Sequence, residues 1–517
     1  MRTFIDLHKL CRDRKMRVNS AYKLGIGLSF LILYSIWASY QFALSYPRRE
    51  KLRSAKAWGK SSDLTPFFTV EEVNEIRQSG IDFVKGSNIE VGEGTNYWPS
   101  WRNDTIQIRP MLEFIKEILL ETNTTYTETR ERDSKQRYMF AETPYVVSST
   151  GVSTSKILRR NNGGGQIRHR LLPVEGLIHE AIQLLMISRK KEREKRWAQL
   201  DELLIQKGYS FPFLAFFGDH NSCDYHNYRD KKNVSHSLPL FTFGVKGNAL
   251  GCWNGFPMPS YKMIRDSKKK SKDWDASFRD RDFRFPWHTK ISKVAWRGSL
   301  SDVNAAMNGE TPRSKLVAFA NEAFNKTNLF DVGFTSNNHF DYFNFSSPDL
   351  LMKEPIRPFE ELQQFMAIID IDGNAWSSRF PTQLCLNSVS LKVEPRYPDY
   401  FVGSQAKPGV HYIPIKGDLS DLLEKTLWVM LHPKESRRVV ANARKWCRVH
   451  MVWKSLAHDM LDIWEKYVTW LNEHDPSWSD IWEKQWKIWG RQSSSFRPLE
   501  IAQDLSIESL AGEFPSS

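Results

Sequence analysis

The sequence predicts an α/β protein with two halves, each built around a parallel β-sheet. Short apolar runs that end in turn residues alternate with amphipathic stretches in two series, one starting near residue 65 and the other near residue 290. The chain has 517 residues, 41% of them apolar, which is enough to bury a large core. Because ligands of such sheets bind beyond the carboxyl ends of the strands, the turns that follow the apolar runs are the candidate sites.

The first series contains predicted helices and predicted strands. The stretches MLEFIKEILLE and GLIHEAIQLLMI have apolar residues at helical spacing, whereas FPFLAFFG and LPLFTFGV are short apolar runs that end in turn residues, which is typical of buried strands. The turn FFGDHN follows the first of these strands and is therefore one of the candidate sites.

The second series begins with KVAWRGS, a predicted strand that leads into a Gly-Ser turn. TPRSKLVAFANEAF is a predicted helix with Thr311 as candidate N-cap and Pro312 in its first turn. The stretch IIDIDGNAWSSRFPTQLCLNSVSLKV then supplies a strand, a turn, a helix entered through proline and a second strand. HYIPI is a further strand, and we expect one long final helix whose apolar residues, from Val439 to Leu471, form a buried face.

A membrane anchor is expected near the amino terminus. Residues 24–44, LGIGLSFLILYSIWASYQFAL, carry no charge over a length that crosses a hydrocarbon core as a helix. Residues 1–23 would then form a cytosolic tail and residues 45–64 a polar, basic stem. Acceptor patterns for N-glycosylation follow the anchor, which predicts a type II topology with a lumenal body in the Golgi or endoplasmic reticulum; they are Asn103, Asn123, Asn233, Asn325 and Asn344.

Charge and cysteine content narrow the chemistry further. The net charge of +13 is spread along the chain, which favours solvated surfaces over nucleic-acid contact. In an oxidising lumen, Cys223 and Cys252 are the candidate disulfide within a loop-rich segment. His220, Cys223 and His226 are spaced like metal ligands, but no paired motif accompanies them, so a disulfide or free thiols are favoured.

Arginines and serines at the strand-to-helix turns of the second series predict an anion site. Arginine suits a diphosphate because its planar fork donates two parallel hydrogen bonds and stays charged. At the start of the predicted helix FPTQL, free backbone N–H groups and the helix dipole also favour a phosphate. The residues expected to converge on one cleft are Arg297, Ser299, Arg313, Ser377, Ser378 and Arg379.

These motifs resemble the capsule-associated and Rumi-like glycosyltransferases, which include protein O-glucosyltransferases and fungal xylosyltransferases. The resemblance extends over residues 211–467 and rests on FPWHTKISKVAWRGS, IDGNAWSSRF and GVHYIPIKGDLSDLLEK. It implies a GT-B architecture, in which two Rossmann-like domains face a cleft, here residues 65–290 and 291–475, followed by a tail of residues 476–517. It also implies inverting transfer of a sugar from UDP-glucose or UDP-xylose to a glycan or glycoprotein acceptor, with no cofactor and no metal required.

The resemblance also assigns site residues. Ser299 and Arg313 would contact the donor, and its diphosphate would lie on the turn formed by Asn374, Ala375, Trp376, Ser377, Ser378 and Arg379. The catalytic aspartate of the family ends a strand in the first half, where FLAFFGDHN places Asp219, and it would take the proton of the acceptor hydroxyl. An apparent insertion, NSCDYHNYRDKKNVS, follows this position, so Asp224 remains the alternative base.

Two other functions remain open from the sequence. Asp370 and Asp372 have the D-x-D spacing of metal-dependent transferases of the GT-A type, in which carboxylates bind Mn²⁺ or Mg²⁺. A non-catalytic, membrane-anchored glycan-binding protein would use aromatic side chains instead, and the candidates for its sugar groove are Trp98, Trp101, Trp253 and Trp287. Dependence of activity on a metal would distinguish the GT-A-type transferase from a metal-free one. Catalytic turnover would distinguish either transferase from a glycan-binding protein.

Overall fold

A computed structural model describes residues 142–155, 165–190, 195–217, 227–229, 235–237, 240–244, 255–270, 273–301, 311–336, 351–492 and 496–498. All of these residues belong to one unit of the chain, residues 67–517. The predicted anchor, tail and stem, the helix MLEFIKEILLE, Cys223, Cys252, Asp219 and Asp224 lie outside the described residues. Within the described part of the chain, no helix is both long enough and apolar enough to cross a membrane.

The described strands are β1 (Glu142–Ser148), β2 (Gly151–Ser155), β3 (Phe211–Phe216), β4 (Asn227–Arg229), β5 (Ser235–Ser237), β6 (Leu240–Thr242), β7 (Gly255–Pro257), β8 (Ile291–Gly298), β9 (Phe330–Phe334), β10 (Phe365–Asp370), β11 (Val389–Val393), β12 (Ile413–Ile415) and β13 (Phe496–Pro498). The described helices are α1 (Gly165–Lys190), α2 (Ala198–Leu200), α3 (Tyr261–Lys270), α4 (Trp274–Arg284), α5 (Pro312–Thr327), α6 (Phe380–Leu384), α7 (Leu422–Leu431), α8 (Pro433–His450), α9 (Trp453–His474) and α10 (Trp478–Gln492). A π-helical turn continues α2 over Asp201–Gln206, and 3-10 turns occupy Lys195–Trp197, Trp287–Thr289 and Phe359–Gln364.

The first sheet has the strand order β13-β2-β1-β3-β6-β7. Strands β3, β6 and β7 are parallel, as the sequence predicts for this half. The remaining pairs, β1 with β2, β1 with β3 and β13 with β2, are antiparallel, so the prediction of a wholly parallel first sheet is wrong. The reason is local, because β1 and β2 are joined by a two-residue turn, and a connection this short permits only an antiparallel pair.

Aromatic packing against helix α9 holds the first sheet. Every residue of β3 is buried, and the ring of Phe213 lies 4.7 Å from that of Phe241 and 6.0 Å from that of Trp464. The Tyr467 ring meets Phe241 edge-on at 5.1 Å, and its hydroxyl donates to the Pro212 carbonyl at 3.0 Å. Burial of this many large rings supplies the main stabilising term of this half.

The second sheet is wholly parallel, with the order β12-β11-β10-β8-β9. The predicted strands lie where the sequence places them, with KVAWRGS at β8, AIIDI at β10, SVSLKV at β11 and HYIPI at β12, whereas β9 and α7 were not predicted. Thr311 caps α5 as predicted, because its hydroxyl accepts from the Ser314 amide at 3.1 Å, and the Ser314 hydroxyl accepts in return from the Thr311 amide at 2.7 Å. The α/β class is therefore confirmed.

The predicted long final helix is two helices. α8 ends at His450, Val452 is extended with φ −123° and ψ 134°, and α9 starts at Trp453. The Met451 carbonyl, which a continuous helix would use in its own ladder, accepts a hydrogen bond from the Trp274 indole at 3.0 Å. The predicted buried face is nevertheless correct on both sides of the break, since Trp446 and Trp464 are both buried.

The chain after residue 475 contributes to the core. Helix α10 buries Trp478 and Trp482 completely, the Trp482 indole donates to the Ser210 hydroxyl at 3.0 Å, and β13 pairs with β2 of the first sheet. The sequence assigned residues 476–517 to a C-terminal tail, and within this range the structure describes α10 and β13.

A disulfide joins Cys385 to Cys447, with Cα atoms 5.8 Å apart. It connects the end of α6 to α8 across a sequence separation of 62 residues. Both cysteines are fully buried. The sequence suggested Cys223 with Cys252, which lie outside the described residues, and did not predict the bond between Cys385 and Cys447.

Candidate active site

The topology of the second sheet marks one place as the candidate site. Read from the β9 edge, the strand order is β9-β8-β10-β11-β12. The chain therefore moves from β8 outward to β9 on one side and from β10 outward to β12 on the other, so the direction of winding reverses between β8 and β10. In open α/β sheets, ligands bind in the crevice beyond the carboxyl ends of the strands at this reversal. The two turns that leave β8 and β10 there are WRGS and IDGNAWSSR, which the sequence analysis selected for their residue types.

Behind this edge lies a buried group of three charges. Lys392, on β11, is directly opposite Asp370 of β10 in the strand register. Its ammonium lies 2.7 Å from an Asp370 oxygen and 3.1 Å from an Asp372 oxygen, and all three side chains are at most 4% exposed. Burial opposes the charge of Lys392, but Asp370 and Asp372 outweigh it and raise the pKa of Lys392, so the ammonium stays charged.

The two aspartates fix the shape of the turn through their remaining oxygens. The Ser377 hydroxyl donates to the other Asp370 oxygen. The second Asp372 oxygen accepts from the backbone amides of Arg396 at 2.8 Å and Tyr397 at 3.2 Å. The D-x-D pair therefore ties β10 to β11, to its own turn and to the turn after β11.

Arg313 spans the two turns from the start of α5. Its guanidinium donates to the Asp372 carbonyl at 3.0 Å and to the Ser299 carbonyl at 2.9 Å. It lies so close to Gly373 that a Cβ atom there would be 2.8 Å from the Nη2 nitrogen. Burial lowers the pKa of Arg313 to about 9, and Arg379 adds to this effect, yet the group remains protonated at neutral pH. Ser299 itself is exposed.

Arg379 ends the turn and reaches back to β8. Its guanidinium donates to the Arg297 carbonyl at 2.6 Å and lies over the Phe359 ring at 5.7 Å. Burial lowers the pKa of Arg379, and Asp370 opposes this. The helix that follows, α6, has only five residues, so it supplies less of the N-terminal dipole than the sequence analysis expected.

The Arg297 side chain is directed elsewhere. It donates to the carboxylate of Asp331 at 2.8 Å, to the carbonyl of Asp331 at 2.6 Å and to the carbonyl of Glu354 at 3.1 Å. These bonds fasten β8 to β9, and the contribution of Arg297 to the candidate site is its backbone carbonyl. Its assignment as a nucleotide contact remains a prediction that these contacts do not favour.

The structure brings more positively charged side chains to the candidate site than the sequence predicts. Arg396 follows β11 and donates to the Gly373 carbonyl at 3.0 Å, which adds a third guanidinium beside Arg313 and Arg379. Burial raises the pKa of the nearby Asp399 well above its ordinary value, an effect that Lys392 opposes and Asp372 reinforces. A charged residue within the apolar strand SVSLKV, and the arginine just after it, were the signals in the sequence for Lys392 and Arg396.

The other predicted residues separate into three groups. Asn374, Ala375, Ser377 and Ser378 lie on the turn with Arg379, as predicted. Asp219 and Asp224 lie outside the described residues, as do Trp98, Trp101 and Trp253. Trp287 lies before β8, at the opposite edge of the sheet, where it lines a cavity of about 350 Å³ with Arg437 and Arg444.

Two further predictions concern glycosylation and metal. Asn325 lies in the last turn of α5, and the other predicted glycosylation sites are outside the described residues. In the described ranges, no group of three or more His, Cys, Asp or Glu side chains is arranged to hold a metal ion. The alternative in which Asp370 and Asp372 bind a metal remains a prediction, and the cation that they contact in this structure is Lys392.

Comparison with known proteins places the candidate site inside a recognised family region. A family model described as glycosyl transferase family 90 matches residues 210–480. The chain is 28% identical to protein O-glucosyltransferase 2 of Danio rerio over 183 residues, which is 35% of this chain and 33% of the relative. It is 30% identical to protein O-glucosyltransferase 3 of Rattus norvegicus over 30% of this chain and 27% of the relative.

A bacterial protein also matches. The O-glucosyltransferase LpsA of Dichelobacter nodosus is 24% identical over 163 residues, which is 32% of this chain and 45% of the relative. The chain thus covers about a third of the length of the first of these curated relatives.

Proposed function

The chain belongs to glycosyl transferase family 90, and from this premise we propose that it is an inverting glycosyltransferase that uses a UDP-sugar donor. In this proposal, the donor binds at the carboxyl edge of the second sheet and transfers its sugar to a hydroxyl group of a protein or glycan. The relatives are named O-glucosyltransferases, which makes UDP-glucose the first donor to test and UDP-xylose the second.

The observation that carries the proposal is the group of three arginines around the Gly373 to Arg379 turn. Arg313, Arg379 and Arg396 donate to carbonyl groups of the two turns, which orients their guanidinium groups at the strand reversal. A diphosphate matches this charge and the bidentate geometry of arginine. Lys392 offsets one of the two aspartate charges, so together with the three arginines the group keeps an excess of positive charge.

The reaction follows from the charges that change. The acceptor oxygen attacks the anomeric carbon from the side opposite UDP, the bond from that carbon to the UDP oxygen breaks, and a carboxylate takes the acceptor proton. Arg313 and Arg379 stabilise the negative charge that develops on the leaving UDP. We assign the base to Asp219, with Asp224 as the alternative, because Asp219 follows strand β3 most closely.

Membrane attachment is the second part of the proposal. Residues 24–44 would anchor the protein in the Golgi or endoplasmic reticulum with residues 45–517 in the lumen. Digestion of the cell-derived protein with an N-glycosidase should reduce its apparent mass. Loss of that mass change when the five acceptor asparagines are replaced by glutamine would locate the glycans, and an unglycosylated protein would contradict the lumenal assignment.

A transfer assay tests the enzymatic proposal. The detergent-solubilised full chain is incubated with UDP-glucose or UDP-xylose and with glycan and protein acceptors in the presence of EDTA, and both UDP release and product configuration are measured. We expect UDP release without metal, inversion at the anomeric carbon, and a loss of turnover in Asp219→Asn of at least about 100-fold. Loss in Asp224→Asn instead would reassign the base.

Two results would overturn the proposal in different ways. Turnover that requires Mn²⁺ would favour the alternative in which Asp370 and Asp372 bind a metal, because hard cations prefer carboxylate oxygens. UDP binding without turnover on any tested acceptor, together with unchanged cellular function of Asp219→Asn, would favour a glycan-binding protein.

A further inference from the structure

Trp376, in the turn that follows β10, packs against the carboxyl edge of the first sheet. Its ring lies 5.1 Å from that of Phe243, which directly follows β6. The turn that carries the arginines therefore makes a direct contact with the first sheet. A nucleotide contact is not needed to explain the position of this tryptophan.

Gly244 makes this close contact possible. A Cβ atom at Gly244 would lie 2.9 Å from the Cβ atom of Trp376 and 3.1 Å from the carbonyl oxygen of Tyr397. Both neighbours are atoms close to the backbone and cannot rotate away. Any side chain at position 244 would therefore push the first sheet away from the turns that follow β10 and β11.

Arg170 extends the contact to strand β3. It lies on α1, donates to the Phe217 carbonyl at 2.9 Å, and places its guanidinium over the rings of Tyr261 at 5.5 Å and Trp376 at 5.9 Å. Phe217 directly follows β3 and precedes Asp219 by two positions. The Arg170 guanidinium thus contacts both the end of β3 and Trp376 of the Gly373 to Arg379 turn.

We propose that Arg170 and Trp376 are positioning residues that set the distance between the catalytic carboxylate and the donor. This inference rests on the proposed function, because it assumes that the diphosphate lies on the Gly373 to Arg379 turn and that the base follows β3. Neither residue takes part in proton transfer. Arg170 fixes the carbonyl at the end of β3, Trp376 fixes the turn, and their contact holds the two together.

Kinetics of Arg170 variants give the first test. Arg170→Met keeps an unbranched apolar stem but removes the hydrogen bond and the charge, so kcat should fall about 10- to 100-fold, as a misplacement of about 1 Å produces. The dissociation constant for UDP, measured by calorimetry, should change less than about threefold, since the arginines that bind the diphosphate are intact. Arg170→Lys should recover part of kcat, because it retains one donor and the charge.

The matched control is Arg279→Met, which removes an exposed arginine of α4 and should leave both constants unchanged. A wild-type kcat in Arg170→Met would overturn the proposal. A parallel loss of UDP affinity would also overturn it, because Arg170 would then be a donor-binding residue.

Hydrogen exchange gives a test that needs no turnover. In the wild-type full chain, UDP should slow amide exchange in residues 373–379 and also in residues 211–217 and 240–244. Trp376→Ala should retain the first effect and lose the second, whereas Trp376→Phe should retain both. Equal protection of the two strand segments in wild type and Trp376→Ala would overturn the inference.

The same experiment separates this inference from the proposed function. If UDP does not bind the wild type, the proposed function fails. The contact itself is then tested by the exchange of residues 240–244 without ligand, which should be faster in Trp376→Ala and in Gly244→Ala than in wild type. Unchanged exchange in both variants would show that the contact does not hold the segment.

Discussion

The first sheet and the carboxyl edge of the second sheet are each stabilised by a different kind of contact. Around β3 the contacts are between buried aromatic rings, among them Phe213, Phe241 and Tyr467. At the ends of β10 and β11 the contacts are hydrogen-bonded charges, with Lys392 between two aspartates. Apolar burial is non-directional and stabilises a fold, whereas buried charges require specific geometry and so define the position of a turn.

The largest effect should come from breaking the charged region. Lys392→Met leaves Asp370 and Asp372 buried without a cation, so the free energy of unfolding should fall by about 3–5 kcal/mol. The control Lys207→Met removes an ion pair with Glu202 in which both side chains are exposed, and it should change the free energy of unfolding by less than about 0.5 kcal/mol. Guanidinium unfolding of the full chain measures both.

Compensation sharpens this test. Adding Asp370→Asn and Asp372→Asn to Lys392→Met removes the uncompensated charges, so part of the lost stability should return. Equal stability of Lys392→Met and Lys207→Met would contradict the buried charge group.

A smaller effect should come from the disulfide that joins the two parts of the second half. Cys385→Ala with Cys447→Ala should lower the free energy of unfolding by about 2–4 kcal/mol, because the unfolded chain loses a cross-link that closes a long loop. Reductant should lower the stability of the wild type by at least this amount and that of the double variant by less, because the double variant keeps only the predicted Cys223–Cys252 pair. Cys11→Ala, in the predicted cytosolic tail, is the control and should have no effect.

The smallest effect should be a pH dependence at the contact between α9 and residues 400–405. Burial raises the pKa of Asp459 to about 6, although hydrogen bonds from Tyr400 and Gln405 oppose this. Because the folded pKa exceeds the unfolded value, the group favours folding at low pH, and that contribution falls as the pH rises through about 6.

Unfolding measurements at pH 5 and pH 7 test this effect. The wild type should lose about 1 kcal/mol relative to Asp459→Asn between these pH values, because asparagine does not titrate. Parallel behaviour of the two proteins would show that Asp459 does not titrate in this range.

Sequence patterns located most of the second sheet because its strands are short, β-branched and closed by turn residues. They also located the Gly373 to Arg379 turn, since its chemistry and its position after a strand are both local properties. They did not reveal that Arg297 binds Asp331, because a strand arginine and a carboxylate 34 positions later carry no joint signal. Residue type selected this turn as a candidate, and the folded chain shows which side chains contact it.

Long-range contacts account for the other differences. The break between α8 and α9 depends on Trp274, which lies 177 positions from Met451 in the chain. Arg170 was missed for the same reason, since nothing in its helix indicates a contact with Trp376. Helices and strands follow from local spacing, whereas these contacts depend on how the helices and sheets pack.

Calorimetric titration of UDP into the detergent-solubilised full chain, with EDTA present, tests the central claim most directly. The wild type and Arg279→Ala should bind UDP with equal affinity, and Arg379→Ala should bind it at least about tenfold more weakly, because a charge-assisted hydrogen bond to the diphosphate contributes about 1.5–3 kcal/mol. Equal affinity in Arg379→Ala, or binding by the wild type only after Mn²⁺ is added, would contradict a metal-free diphosphate site on this turn.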